Sequence, residues 1–129
     1  MKKILLIALV AIFMGCQPSE KLDLTGDWKL TEMNGAKLEN PEVEITLAFD
    51  TDQLQVNGNG GCNQYFGSYT LNNNELEFSN LGATKMACPD IDNIEMEYFQ
   101  LLDGKLTAKS TDNRLELKKE DKAVLVFEK

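Results

Sequence analysis

Apolar and polar residues alternate in short runs along most of the chain. Val43-Glu44-Ile45-Thr46-Leu47 sets three apolar side chains on one face, and Leu54-Gln55-Val56, Leu76-Glu77-Phe78 and Leu115-Glu116-Leu117 repeat the pattern. Successive side chains of a strand point to opposite faces, so each run has a dry side and a wet side. Trp28-Lys29-Leu30 opens the first such strand, and residues 66–71, 105–109 and 123–127 supply others. Favourable turn residues separate the runs at Asn34-Gly35, Asn57-Gly58, Asn72-Asn73-Asn74, Asp103-Gly104 and Thr111-Asp112-Asn113. This punctuation predicts an antiparallel arrangement of about eight short strands. One segment breaks the period of two. Ile91, Ile94, Tyr98, Leu101 and Leu102 form a helical stripe, with Pro89 and Asp90 as a start and Gly104 as a stop. The expected fold is α+β, mostly β: an antiparallel curled sheet or open barrel with one helix packed across it, shielding core that the strands leave exposed.

The first residues follow a different logic. Met1-Lys2-Lys3 is followed by an apolar run over residues 4–14 and then by Gly15-Cys16. A basic start, a short apolar stretch and a small residue make a secretory signal. The run has 11 residues, about half of the roughly 20 that span a bilayer as a helix. Gly15-Cys16 resembles the lipobox of bacterial lipoproteins, in which a diacylglycerol is added to the cysteine and the chain is cut just before it. Phe13 stands where that pattern most often has Leu. Residues 1–15 are thus expected to be a lipoprotein signal peptide, 16–23 a lipidated Cys16 with a polar tether, and 24–129 one domain. The alternative is an ordinary secreted protein with an unpaired Cys16. Lipidation implies stable anchoring, since several acyl chains exceed the marginal binding of one. Gln17 in place of Asp points to onward transport to the outer membrane, on its periplasmic or surface face.

Charge and composition narrow the function classes. Loss of Lys2 and Lys3 with the signal leaves 11 basic residues against 21 acidic ones, a formal balance of −10. Such a surface is repelled by nucleic-acid phosphates and anionic headgroups, so no nucleic-acid partner is expected. The chain has no histidine. The commonest general base, nucleophile activator and metal ligand is therefore missing, and the chain is expected not to be an enzyme. With Cys16 lipidated, Cys62 and Cys88 remain as an even pair. In an exported domain that suggests a disulfide, with two buried free thiols as the alternative.

The glycine-rich loop over residues 57–63 is the most conspicuous local feature. As a binding site it would use Asn59, Gly60, Gly61 and Asn63 as a backbone cradle for an anion or ligand. No Gly-Lys-Ser/Thr ending and no βαβ context accompany it, so a phosphate loop is not supported. The favoured reading is structural: the glycines allow unusual backbone angles where a strand bends toward Cys62. Cys62 lacks a base to activate it, whereas the helix start would lower the pKa of a free Cys88, which makes a redox role there the alternative to the disulfide. Asp50-Thr51-Asp52 begins like a calcium loop, but Leu54 and Gln55 break the pattern, so no metal is expected. Asp90 and Asp92 read as helix-start chemistry, and Trp28 as a core anchor rather than a stacking surface. No cofactor is implied.

Several stretches together resemble the META domain family, which includes the HslJ-like heat-shock lipoproteins. They are Thr25-Gly26-Asp27-Trp28-Lys29-Leu30, Asn34-Gly35, Gly58-Asn59-Gly60-Gly61-Cys62-Asn63, Phe66-Gly67-Ser68-Tyr69, Thr84-Lys85-Met86-Ala87-Cys88-Pro89 and Leu115-Glu116-Leu117. The resemblance implies a compact β-rich domain with one helix, in proteins linked to envelope stress, drug tolerance or virulence, with no established catalysis. The family's paired cysteines match Cys62 and Cys88. The expected function is a monomeric, lipid-anchored binding or protective module that meets the membrane through Cys16 and an envelope protein or ligand through its domain. An inhibitor of an envelope or foreign hydrolase such as lysozyme, or a small-ligand carrier, are the alternatives.

Overall fold

A computed structural model describes Gly15 and residues 21–129. Residues 1–14 of the expected signal, Cys16 and the first part of the tether lie outside the described residues. The chain forms β1 (Asp27–Met33), β2 (Ala36–Lys37), β3 (Thr46–Asp50), β4 (Gln55–Asn59), β5 (Gln64–Asn72) and β6 (Glu75–Ala83). Helix α1 (Asp92–Leu102) follows, then β7 (Lys105–Ser110), β8 (Arg114–Lys119) and β9 (Lys122–Glu128). All the strand pairings are antiparallel. The order is β2-β1-β3-β4-β5-β6-β7-β8-β9, and β1 also pairs with β9, which closes the sheet into a ring.

The mostly β architecture with one helix is the expected one. The ninth strand, β2, has two residues and hangs on the outside of β1 through Glu32↔Lys37 and Met33↔Ala36. Asn34 and Gly35, both at positive φ, make the tight turn that places it. Period-two burial is clearest in β7, where Leu106, Ala108 and Ser110 point inward and their neighbours outward. The interior is filled from opposite walls by Trp28, Ile45, Leu47, Leu76, Leu117 and Phe127, all fully buried. Trp28 is a core anchor. Its indole N–H donates to the Leu24 carbonyl at 3.0 Å, which ties the incoming chain to the barrel, and the Lys129 ammonium lies 4.5 Å from its ring centroid.

The ring has one weak seam. β6 and β7 share three residue pairs, from Glu75↔Thr107 to Glu77↔Lys105. Beyond them β6 runs on to Ala83 paired with β5 alone. Helix α1 lies at this seam and sends Tyr98 and Leu102 into the core. Of the predicted stripe, Ile91, Ile94 and Leu101 are only partly buried and pack at the core's margin. The helix starts where the Cys88 carbonyl accepts the N–H groups of Ile91 and Asp92, both at 2.9 Å. The Asp92 carboxylate accepts the Cys88 N–H at 2.9 Å in return. Gly104, at φ 82°, turns the chain from the helix into β7. Among the described residues no helix is long and apolar enough to cross a membrane.

Candidate functional site

The glycine-rich loop and the helix meet around one side chain, Glu95. Asn59 at the end of β4 folds the loop on itself, its side-chain oxygen accepting the Gly61 N–H at 2.7 Å. The Gly60 N–H donates to the Asn63 carbonyl at 2.8 Å, and Gly61 takes φ +116°. The backbone N–H groups of Cys62 and Asn63 then converge on one oxygen of Glu95, at 2.9 and 2.6 Å. The Asn63 side-chain amide donates to the other oxygen at 2.6 Å. A nest of this kind is suited to an anion. Its occupant here is the chain's own buried Glu95, 8% exposed. A Cβ on Gly60 would meet Phe99 at 2.8 Å and the Glu95 carboxylate at 2.9 Å, so glycine is needed for the helix to approach.

Asn63 spends its remaining capacity on the segment after β6. Its side-chain oxygen accepts the Met86 N–H at 2.7 Å and the Thr84 hydroxyl at 3.0 Å, while its amide also donates to the Met86 carbonyl at 3.2 Å. The 4% exposed Asn63 is thereby fully satisfied. Cys62 and Cys88 form a disulfide with Cα atoms 6.0 Å apart. The sulfurs and an Asp92 oxygen lie within 4.8 Å of one another, but the sulfur–sulfur bond removes both thiolates as metal ligands. The loop, the segment over residues 84–88 and the start of α1 are one clamp.

Behind the clamp two buried tyrosines share a hydrogen bond of 2.7 Å. Tyr65 also donates to the Thr46 carbonyl at 2.8 Å, so Tyr98 is the donor between the two hydroxyls. Burial raises the pKa of both phenols above the usual tyrosine value, and for Tyr98 the neighbouring Tyr65 adds to the effect. Both stay neutral at ordinary pH. A Cβ on Gly58 would collide with the Thr46 carbonyl and approach the Tyr65 hydroxyl to 2.9 Å, which accounts for that glycine.

The clamp holds one wall of a groove of about 820 Å³. Residues 81–87 form that wall, and Asp92, Met96 and Phe99 of α1, with Asp103 just past its end, form the other. Met86 and Met96 are 61% and 56% exposed, unusual for large apolar side chains. Lys85, Asp92 and Asp103 contribute charge. Of the four positions singled out in the sequence, Asn63 reaches the groove and Asn59, Gly60 and Gly61 shape the loop behind it. The parts that Glu95, Met86, Met96 and Phe99 play in the site were not signalled by the sequence. The stripe Asp92, Met96, Phe99, Asp103 was present at helical spacing, but the buried stripe dominates the pattern.

The META domain family model matches residues 20–129. Three solved structures are similar. One, an NMR structure, shares 22% identity at a TM-score of 0.64 and covers 81% of this chain and 89% of its own. The NMR structure of a protein from Burkholderia xenovorans shares 30% identity at a TM-score of 0.63, over 83% of this chain and 82% of its own. The crystal structure of a DUF4847 family protein from Bacteroides vulgatus shares 15% identity at a TM-score of 0.57, over 81% and 92%. The first and third speak to the fold alone. A search of curated proteins returned no match.

Proposed function

The chain belongs to the META domain family, and from that premise we propose that it is a non-enzymatic, lipid-anchored binding module of the cell envelope, with a protective role in stress or drug tolerance. Kinship with the HslJ-like heat-shock lipoproteins and an outer-membrane location are parts of this proposal. The observation that carries the binding role is the apolar groove at the β6–α1 seam, whose wall is fixed by the disulfide and the Asn63–Glu95 clamp. A surface held this rigidly keeps its shape for a partner and loses little entropy on binding.

The sequence supports the anchor. Lys2, Lys3, the short apolar run and Gly15-Cys16 form the export and lipidation signal, and Gln17 the onward-transport signal. The polar groups suited to catalysis are engaged elsewhere. Cys62 and Cys88 are bonded to each other, the loop N–H groups hold Glu95, and the chain has no histidine. The filled barrel interior weighs against a small-ligand carrier. The hydrolase-inhibitor reading keeps one favourable observation, the formal balance of −10 in the mature chain, which suits a basic target such as lysozyme.

Metabolic labelling with radioactive palmitate tests the anchor. Label is expected on the full chain and absent from Cys16→Ser, and an unlabelled wild type removes the anchor from the proposal. Envelope extracts passed over the anchored protein test the binding role. One protein is expected to be retained by wild type and lost with Met96→Lys. Equal retention by both contradicts the groove. Undiminished lysozyme activity at micromolar protein removes the inhibitor reading.

A further inference from the structure

The groove has a feature that hydrophobic pockets lack: one wall is an unpaired strand edge. Thr84 donates its N–H to the Gln64 carbonyl at 3.0 Å, so that position turns its backbone toward β5. Backbone direction alternates along an antiparallel ladder. Gly82, opposite Phe66, therefore also faces β5, while Ala83, opposite Tyr65, turns its N–H and C=O the other way. That way lies the groove. No described residue pairs with Ala83 there, because β7 leaves the edge at Glu77↔Lys105. The chain reaches Lys105 from α1 through Gly104 and so never occupies the line that β7 would extend. A half-buried strand edge with unmet donors and acceptors is a template for another strand.

We propose that the groove binds an extended peptide segment of a partner protein, which adds as a short strand along the β6 edge at Leu81 to Ala83, beyond the bulge where Asn80 takes φ 53°. The proposal rests on the groove being the binding surface and names the class of its ligand. Three observations define the guest. The unpaired backbone at Ala83 asks for an extended main chain. Met86, Met96 and Phe99 offer adaptable apolar contacts to alternate side chains on one face of that strand. The groove's rim carboxylates, Asp103 and an Asp92 that keeps its charge while accepting the Cys88 N–H, outnumber the one cation that lines it, Lys85, within a strongly acidic surface, which favours basic residues in the guest. β6 itself stays in place on binding, since its other side is held by β5.

The test uses a fluorescein-labelled heptapeptide of alternating Val and Lys, added to the exported chain carrying Cys16→Ser. Fluorescence anisotropy gives affinity, and amide shifts of the labelled protein give location. Saturable binding is expected, with shifts at Leu81, Ala83, Lys85 and Met96. N-methylation of alternate amides removes the donors along one edge of a strand and leaves the side chains intact. One of the two N-methylated sets is expected to bind about tenfold more weakly and the other within about twofold, because only one edge faces β6. Met96→Lys, an exposed change that leaves the core alone, is expected to weaken the Val–Lys peptide about tenfold. Equal binding of both N-methylated sets in the groove overturns strand addition while leaving the groove a binding surface. Shifts confined to other faces, or no effect of Met96→Lys, overturn both. A dimer that forms without peptide and is abolished by Met96→Lys overturns the proposal by assigning the edge to a second copy.

Discussion

A carboxylate in the interior is costly unless donors surround it. Glu95 meets that condition with three N–H groups, two from the backbone of Cys62 and Asn63 and one from the Asn63 side chain. Removing the acceptor strands all three. Glu95→Ala is expected to lower stability by about 2–4 kcal/mol in urea unfolding, with Glu95→Gln recovering part of the loss. A loss under 1 kcal/mol for the alanine variant would contradict the clamp. Tyr98 makes a second residue-scale prediction. Its folded pKa is raised by burial and by Tyr65, so above the ordinary tyrosine pKa near 10 the unfolded chain sheds a proton that the folded chain keeps. Stability is fully present below that pH and falls as pH rises through it. Urea midpoints at pH 9 and 11 should drop more for wild type than for Tyr98→Phe, which removes one of the three raised phenols. Equal drops would place the alkaline loss elsewhere.

Among the elements, the β-strands were legible because alternation in Leu76-Glu77-Phe78 or Leu115-Glu116-Leu117 maps directly to burial. The helix was legible from the Tyr98–Leu102 stripe. β2 was not, since two residues carry no period, and it exists because the Asn34-Gly35 turn folds Ala36–Lys37 onto β1. In β3 the sequence placed the strand at residues 43–47, whereas the continuous ladder begins at Thr46 and Ile45 makes only an isolated bridge to Gly60. The close packing of the glycine loop takes that stretch out of regular pairing. The loop's constraint was readable from its glycines, but its occupant was not. Glu95 lies 32 residues from Asn63, and no local pattern links them. The groove was invisible for the same reason: Met86 and Met96 become a surface only when α1 lies beside the free β6 edge. At this scale the disulfide is the restraint to test. It closes a separation of 26 residues, which in the chain-entropy description is worth on the order of 3 kcal/mol. Reduction is expected to lower the urea midpoint and to speed amide exchange at residues 84–91 ahead of the barrel strands. Uniform exchange across the domain would mean that the clamp and the barrel open together.

Taken as a whole molecule, the domain is a barrel closed everywhere except along one seam. The helix covers the core at that seam but leaves the β6 edge free. Exposed edges invite uncontrolled pairing and are usually blunted or covered. Here the free edge is short, acidic at its rim and fixed in place by a disulfide and a buried polar cluster. A tether at Cys16 would hold that edge near the membrane, where a high local concentration makes even a modest groove effective. The proposed role in the envelope rests on this combination of anchor and rigid groove. Site-specific photo-crosslinking in cells tests it most directly, with the crosslinker at Met96 and, as a control, at exposed Asp112. An adduct with one envelope protein from position 96, absent from position 112 and lost in Cys16→Ser, is the predicted result. Identical adducts from both positions, or none from position 96 in the anchored protein, would contradict the account.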